Sequence, residues 1–305
     1  MPLDPLRALR RRSQWRHSRA LKGALYASPA VVFVLAFFVV PLALVGQMSA
    51  SDWPLLEGRQ GNNLPDNYTA VTHDRLFWPA VWFTLKYTGI VVVALLVLAM
   101  VMALLVQERR RGVGFIRTAY FLPVSLGLAS ASLLFWGFYS PAIGPIDPIL
   151  ERLGLIDGHV RWIGTPNMAL FSTVALIVWK FAGFFMLIML VGLQSIPTEV
   201  SEAARVDGAS RRQAFFHITL PLLRRSIALC LIISVTGSLL AFDQFFILTQ
   251  GGPDNSTTTV VMLIYRAAFR QFDVGTAAAL SVMVLVVLLV INVAQFRFLR
   301  RGVED

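Results

Sequence analysis

Six long apolar runs constrain this chain more than any other feature. They extend from Ala24 to Met48, Ala80 to Val106, Thr118 to Ser140, Met168 to Leu193, Ser226 to Thr249 and Gly275 to Phe296. Crossing about 30 Å of hydrocarbon takes about 20 mainly apolar residues in a helix, and each run is long enough. The runs are apolar all round, whereas a membrane barrel needs short strands of alternating polarity. Of all residues 56% are hydrophobic and 14% charged, against about a quarter charged in soluble domains. Lipid is therefore the expected solvent. The expected fold is all-α, with six transmembrane helices in one membrane domain (residues 24–296) between a basic tail (1–23) and a short carboxyl tail (297–305).

The net charge of +10 has a direction. The amino tail, the second-to-third connection, the fourth-to-fifth connection and the carboxyl tail together hold nineteen Lys and Arg, from Arg7 to Arg301. The other three connections hold six: Arg59, Arg75, Arg152, Arg161, Arg266 and Arg270. Basic residues stay on the cytoplasmic side, so both termini are expected there, as six spans require. Attraction to anionic lipid accounts for the basic excess, and nucleic acid is not an expected partner. The first run is too long for a cleaved leader and lacks a small-residue cleavage site. Before it, Leu3, Leu6, Leu9 and Trp15 among arginines fit either a helix on the membrane surface or a disordered basic anchor. Cys230 is the sole cysteine, which excludes a disulfide framework.

The fourth-to-fifth connection, residues 194–225, reads as ordered. Pro197, Thr198 and Glu199 suit the start of a helix. Gly208 supplies a left-handed turn after it. Ser210 and Gln213 form a capping box for a second short helix, carrying Phe215, Phe216 and Ile218 and stopping near Leu220-Pro221. Two short helices rich in small residues suit docking into a partner's groove.

Glu202-Ala203-Ala204-Arg205-Val206-Asp207-Gly208-Ala209, followed by Phe216-His217-Ile218-Thr219-Leu220-Pro221, resembles the EAA loop of binding-protein-dependent ABC importer permeases. Gly192 to Pro197, Phe242-Asp243-Gln244 and Leu248-Thr249-Gln250-Gly251-Gly252-Pro253 resemble the carbohydrate-uptake branch, of the maltose and glycerol-3-phosphate permease type. Arg224-Arg225 departs from relatives that carry a proline soon after the Leu-Pro pair. The resemblance implies the type I importer permease fold in the bacterial cytoplasmic membrane. It also implies that Glu202, Ala203, Ala204, Asp207, Gly208 and Ala209, with Phe216, Leu220 and Pro221, contact a cytoplasmic ATPase. Its implied partners are two ATPase subunits holding ATP and Mg, a second permease subunit that typically makes a heterodimer, and an extracellular or periplasmic solute-binding protein. The solute is expected to be a sugar or sugar-like compound: a disaccharide, an oligosaccharide, a glycerol phosphate or an amino sugar.

Charges inside spans are costly and need an explanation. Lys86 lies near the outer end of the second span and is expected to snorkel. Lys180 follows Trp179 near mid-membrane, and Asp243 lies about 9 Å shallower at 1.5 Å per residue. With Phe242 and Gln244 these residues are candidate lining of a solute pathway, since carboxylate and amide groups bind hydroxyls and aromatic faces cover sugar rings. A structural pairing of Lys180 with Asp243 is the alternative. The polar and aromatic connections 49–79 and 141–167, with Trp53, Tyr68 and Trp162, and the Gly251–Asn255 turn are candidate docking surfaces for the binding protein.

The sequence holds no Gly-x-x-x-x-Gly-Lys-Ser/Thr loop, so this chain is expected not to hydrolyse ATP. His17, His73, His159 and His217 show no metal or catalytic spacing. Two other classes compete. An ion-coupled transporter would show repeated halves and broken helices, and a membrane enzyme would show clustered acids or histidines; neither is read in the sequence.

Overall fold

A computed structural model of the chain describes residues 22–108 and 111–301. The basic tail up to Leu21, with its surface-helix or anchor alternatives, lies outside the described residues, as do Arg109 and Arg110.

The first apolar run is the helix α1, Lys22–Ser49. Pro41 has no N–H to donate, so the ladder ahead of it widens into a π turn over Leu35–Val39. A hairpin of β1 (Ser51–Asp52) and β2 (Gly61–Asn62) follows, then α2 (Asp66–His73). Asn67 organises this region, donating Nδ2 to the Ser49 and Ser51 carbonyls at 3.0 and 2.9 Å. The second span is α3, Phe77–Val106. Its buried residues Phe83, Tyr87, Val91, Leu95, Ala99 and Ala103 recur every fourth position and form one stripe.

The third run is not one straight helix. It comprises α4 (Val113–Phe121), a 3-10 turn over Leu122–Ser125 and α5 (Leu128–Phe138), bent by 97°. Pro123 and Gly127 flank the bend, as residues that break the helical ladder should. After α6 (Ile146–Arg152) the fourth span is α7, Pro166–Gln194, started by the Thr165 side chain, which accepts from Met168 N. It packs most extensively on the stripe of α3.

The connection onward holds α8 (Thr198–Val206) and α9 (Arg211–Leu222). Helix α9 stops at Leu222, beside the Leu220-Pro221 pair as expected: a π turn over Phe215–Thr219 accommodates the proline, and the chain bends by 65° at Leu223. The fifth run is likewise divided. Helix α10 ends at Leu239, residues 240–242 are non-helical, and α11 spans Asp243–Leu248. Helix α10 begins at Arg224. A short apolar helix, α12 (Val260–Phe269), precedes the sixth span α13 (Val274–Arg301). Asp273 starts α13, accepting from Thr276 N at 2.9 Å and from Thr276 Oγ1 at 2.6 Å.

Among the described residues four helices are long and apolar enough to cross a membrane, and six spans result when the bent pairs α4–α5 and α9–α10 each count as one. The all-α, six-span expectation holds apart from the two-residue strands, with four spans continuous and the third and fifth interrupted. The main core lies between α3, α7, α10 and α11. Residues 22–44 of α1 are exposed along their whole length.

Candidate functional site: a cavity at two helix breaks and a capped coupling hairpin

Both interrupted spans break at a common cavity of about 270 Å³. Leu128, the first residue after the third-span bend, lines it, as do Leu240, Ala241, Phe242, Asp243 and Gln244 at the fifth-span break. Helix α7 contributes Ile177, Phe181 and Phe184, and α3 contributes Tyr87. Interruption frees backbone groups that need new partners. The Ala241 carbonyl accepts from Thr259 Oγ1 at 2.8 Å, which anchors the break to the segment before α12.

Of the five residues expected along a pathway, three line the cavity: Phe242, Asp243 and Gln244. Gln244 is 2% exposed and donates Nε2 to Tyr87 Oη at 3.1 Å. Its Oε1 is buried with no hydrogen-bond partner. Whichever way the amide is turned, one of its polar atoms stays unpaired. The half-buried Asp243 heads α11 and makes no ion pair with a described residue. Phe242 stacks on Phe246 with ring centroids 5.0 Å apart.

Trp179 and Lys180 lie elsewhere. Trp179 packs against Phe135 of α5, centroids 5.1 Å apart, and is 40% exposed. Lys180 is 3% exposed, and its Nζ donates to the carbonyls of Pro123, Val124 and Leu126 at the third-span bend. It does not pair with Asp243. Placing the two by depth assumes straight neighbouring helices, whereas the third span bends by 97° and the fifth is interrupted just before Asp243. Ser234 and Ser238, one turn apart on α10, also line the cavity, as does Tyr87. Sequence reasoning missed all three, although two serines four apart in an apolar run mark one helix face.

The 194–225 connection forms the hairpin expected. Helix α8 ends in a Schellman turn: Gly208 has φ +78°, its N–H bonds the Arg205 carbonyl at 3.1 Å, and Ala209 N bonds the Ala204 carbonyl at 2.9 Å. Ser210 and Gln213 make the reciprocal capping box at the start of α9. Glu202, Ala203, Asp207, Phe216 and Pro221 are exposed, Ala209 and Leu220 half-buried, and Ala204 is buried. Glu202 and Asp207 make no ion pair among the described residues, and Phe216 is 51% exposed beside Arg212. A rigid hairpin thus presents acids, small residues and one aromatic ring outward.

On the opposite side of the fold, Asp147 of α6 is buried and accepts from Trp162 Nε1 at 2.6 Å and Val160 N at 3.3 Å, with His159 Nδ1 at 3.2 Å. Burial alone raises its pKa, but these hydrogen bonds and the nearby His159 outweigh it and hold the carboxyl below its ordinary 3.8. Trp162 in turn stacks on Tyr139. No group of metal-ligating side chains occurs among the described residues.

Residues 95–302 match the family of binding-protein-dependent transport system inner membrane components. The sulfoquinovosyl glycerol transport system permease protein SmoG of Agrobacterium fabrum is 34% identical, covering 92% of this chain and 91% of its own length. The trehalose/maltose transport system permease protein MalF of Thermococcus litoralis is 31% identical over 91% of this chain and 93% of its own. The sn-glycerol-3-phosphate permease protein UgpA of Escherichia coli is 32% identical over 92% and 94%. A chain of a bacterial ABC transporter that imports the acidic polysaccharide alginate superposes with TM-score 0.81 at 25% identity, covering 94% of this chain and 99% of its own. The same fold, at TM-score 0.81 and 24% identity, occurs in a crystal structure with an alginate pentasaccharide-bound periplasmic protein. Broken helices, which the sequence reading reserved for ion-coupled transporters, are thus compatible with this architecture. The chain belongs to the binding-protein-dependent transport system inner membrane components, as a multi-pass permease subunit of an ABC importer.

Proposed function

We propose that this permease carries a sugar or sugar-like solute through the cavity at the two helix breaks. The single observation that carries the reading is the juxtaposition at the cavity wall of a buried, incompletely bonded Gln244 and of Asp243, which makes no ion pair with a described residue. An orphaned buried amide atom costs about 1–3 kcal/mol, and a solute hydroxyl reached by rotation of the Gln244 side chain would relieve it. The aromatic rings of Phe181, Phe184 and Phe242 beside it suit the apolar faces of a sugar ring. The named solutes of the relatives support this class: trehalose and maltose, sulfoquinovosyl glycerol, and glycerol 3-phosphate.

In this reading the hairpin of α8 and α9 seats in an ATPase subunit on the cytoplasmic side, where both termini also lie. Exposed Glu202 and Asp207 meet basic groups there, with Ala203, Gly208, Ala209 and Phe216 as the close-packed contact. Leu220 and Pro221 support α9, and Ala204 packs inward. ATP and Mg reside on two partner ATPases, and this chain itself binds no cofactor and performs no chemistry. A second permease subunit completes a heterodimer, and a periplasmic or extracellular solute-binding protein delivers the solute. ATP-driven closure of the ATPases moves the hairpin and rocks the spans between two access states.

The test is transport in proteoliposomes holding the full complex and its binding protein. Asp243→Asn should lower uptake of the transported sugar at least fivefold while ATPase subunits still co-purify. Wild-type uptake by both Asp243→Asn and Gln244→Ala would remove the cavity from the pathway.

A further inference from the structure

Lys180 has no place among the cavity-lining residues, yet a charge at its depth needs a reason. It is the fifteenth of 29 residues in α7, about 21 Å from either end at 1.5 Å per residue. Its Nζ faces three carbonyls, Pro123 and Val124 at 3.4 Å each and Leu126 closer still. An ammonium group has three N–H donors for three acceptors, where a neutral amine has two. These carbonyls close the 3-10 turn at the 97° bend, where Pro123 also accepts from Leu126 N at 3.3 Å and a helix end carries partial negative charge.

One turn further along α7, Gly183 meets the same strand of chain. A Cβ there would lie 1.9 Å from the Tyr120 carbonyl oxygen, so only glycine permits the approach. Helix α7 and the inner half of the third span are therefore joined at two adjacent points. At one end this joint reaches the cavity, since Leu128 stands two residues beyond the Leu126 carbonyl and Ile177, Phe181 and Phe184 stand on α7 itself. At the other end α7 runs, through Ser195 to Pro197, directly into the α8–α9 hairpin.

We propose that Lys180 is a positioning residue of the transport cycle: its ammonium ties the bend of the third span to α7, so that displacement of the 194–225 hairpin reaches the cavity wall at Leu128. The inference rests on the transport reading above and deepens it. An unbranched apolar side chain would fill the same space, and a charge at this depth is costly. What the ammonium adds is a directional hold on three carbonyls of a bent backbone, keeping the two elements together while both move.

The experiment uses the whole complex, with ATPase subunits, partner permease and binding protein, in proteoliposomes. Uptake of radiolabelled trehalose, maltose or sn-glycerol 3-phosphate, whichever the wild type accumulates, is divided by ATP hydrolysed in the same vesicles. Lys180→Met should lower this ratio at least tenfold with hydrolysis within twofold of wild type, while Lys180→Arg, which keeps a cation and several donors, should retain more than a third of it. A wild-type ratio in Lys180→Met overturns the proposal, and so do equal losses in the Met and Arg variants. Should Lys180→Met fail to assemble, Lys180→Gln offers two neutral donors to three carbonyls. A threefold or greater drop in its ratio supports the proposal, and a wild-type ratio overturns it. A wild-type complex without ATP-dependent uptake of any of these solutes would instead sink the transport reading itself.

Discussion

Gly183→Ala is the smallest perturbation that should separate α7 from the third span. The added Cβ would stand 1.9 Å from the Tyr120 oxygen and 2.5 Å from its carbonyl carbon. Contacts below 3.0 Å are essentially never found for real Cβ atoms, so the Tyr120 carbonyl must retreat by at least 1.1 Å. It is a backbone atom and cannot rotate away as a side chain would. Overpacking of this kind costs about 1–3 kcal/mol, a factor of about 5 to 150 against the described arrangement at 1.4 kcal/mol per tenfold. The same retreat, passed along the 3-10 turn, carries Pro123 and Val124 away from Lys180. Those hydrogen bonds already measure 3.4 Å, and an extra ångström abolishes them. The assay is the initial uptake rate per assembled complex, with Gly137→Ala as control, because a Cβ at Gly137 meets nothing within 4 Å. Gly183→Ala should lose at least fivefold in rate while Gly137→Ala stays within twofold. Equal, near wild-type rates for the two would show that the close approach carries no function and would refute the reasoning.

Two further outcomes concern the two faces of the fold. Gly208 has φ +78° with open space around it, so Gly208→Ala should cost only backbone strain of about 1–2 kcal/mol. Gly208→Asn should cost less, and Gly208→Glu should abolish uptake by blocking ATPase contact while membrane insertion persists. Co-purification of the ATPase with undiminished uptake in Gly208→Glu would dismiss the coupling role. For Asp147, a folded pKa below the ordinary 3.8 means its stabilisation is complete above that value and is lost as pH falls through the lower folded value. Protease cleavage within residues 141–165 should therefore stay slow and flat from pH 8 to about pH 5 for this group, whereas Asp147→Asn should speed it already at neutral pH. Equal cleavage of wild type and Asp147→Asn at neutral pH would show that the carboxylate does not hold this segment.

What was legible in the sequence follows from what a one-dimensional pattern can encode. The hairpin of α8 and α9 was readable because its determinants are local: Gly208 supplies the positive φ, and Ser210 and Gln213 cap each other three residues apart. The six apolar runs were readable because hydrocarbon thickness fixes their length. The breaks within them were not, for two different reasons. Pro123 and Gly127 did signal the third-span bend, but the apolar character of Thr118 to Ser140 masked them when the run was read as a whole. The fifth-span break has no such residue at Leu240, Ala241 or Phe242. Its stability comes from Thr259, eighteen positions away, whose hydroxyl satisfies the Ala241 carbonyl, and no local pattern records that bond. Lys180 shows the consequence. Its residue type and depth marked it correctly as needing a partner, yet the partner is a set of carbonyls that exists only because the third span bends. A charge within a span therefore points first to where a neighbouring backbone has been interrupted, and only then to the solute. In this chain the carboxylate of Asp243 opens on the cavity while the ammonium of Lys180 stands behind its wall. In the proposed pathway one charge shapes the wall and the other supports it from behind: Asp243→Asn should lower uptake through the lining itself, whereas Lys180→Met should lower uptake per ATP hydrolysed in a way that Lys180→Arg largely spares.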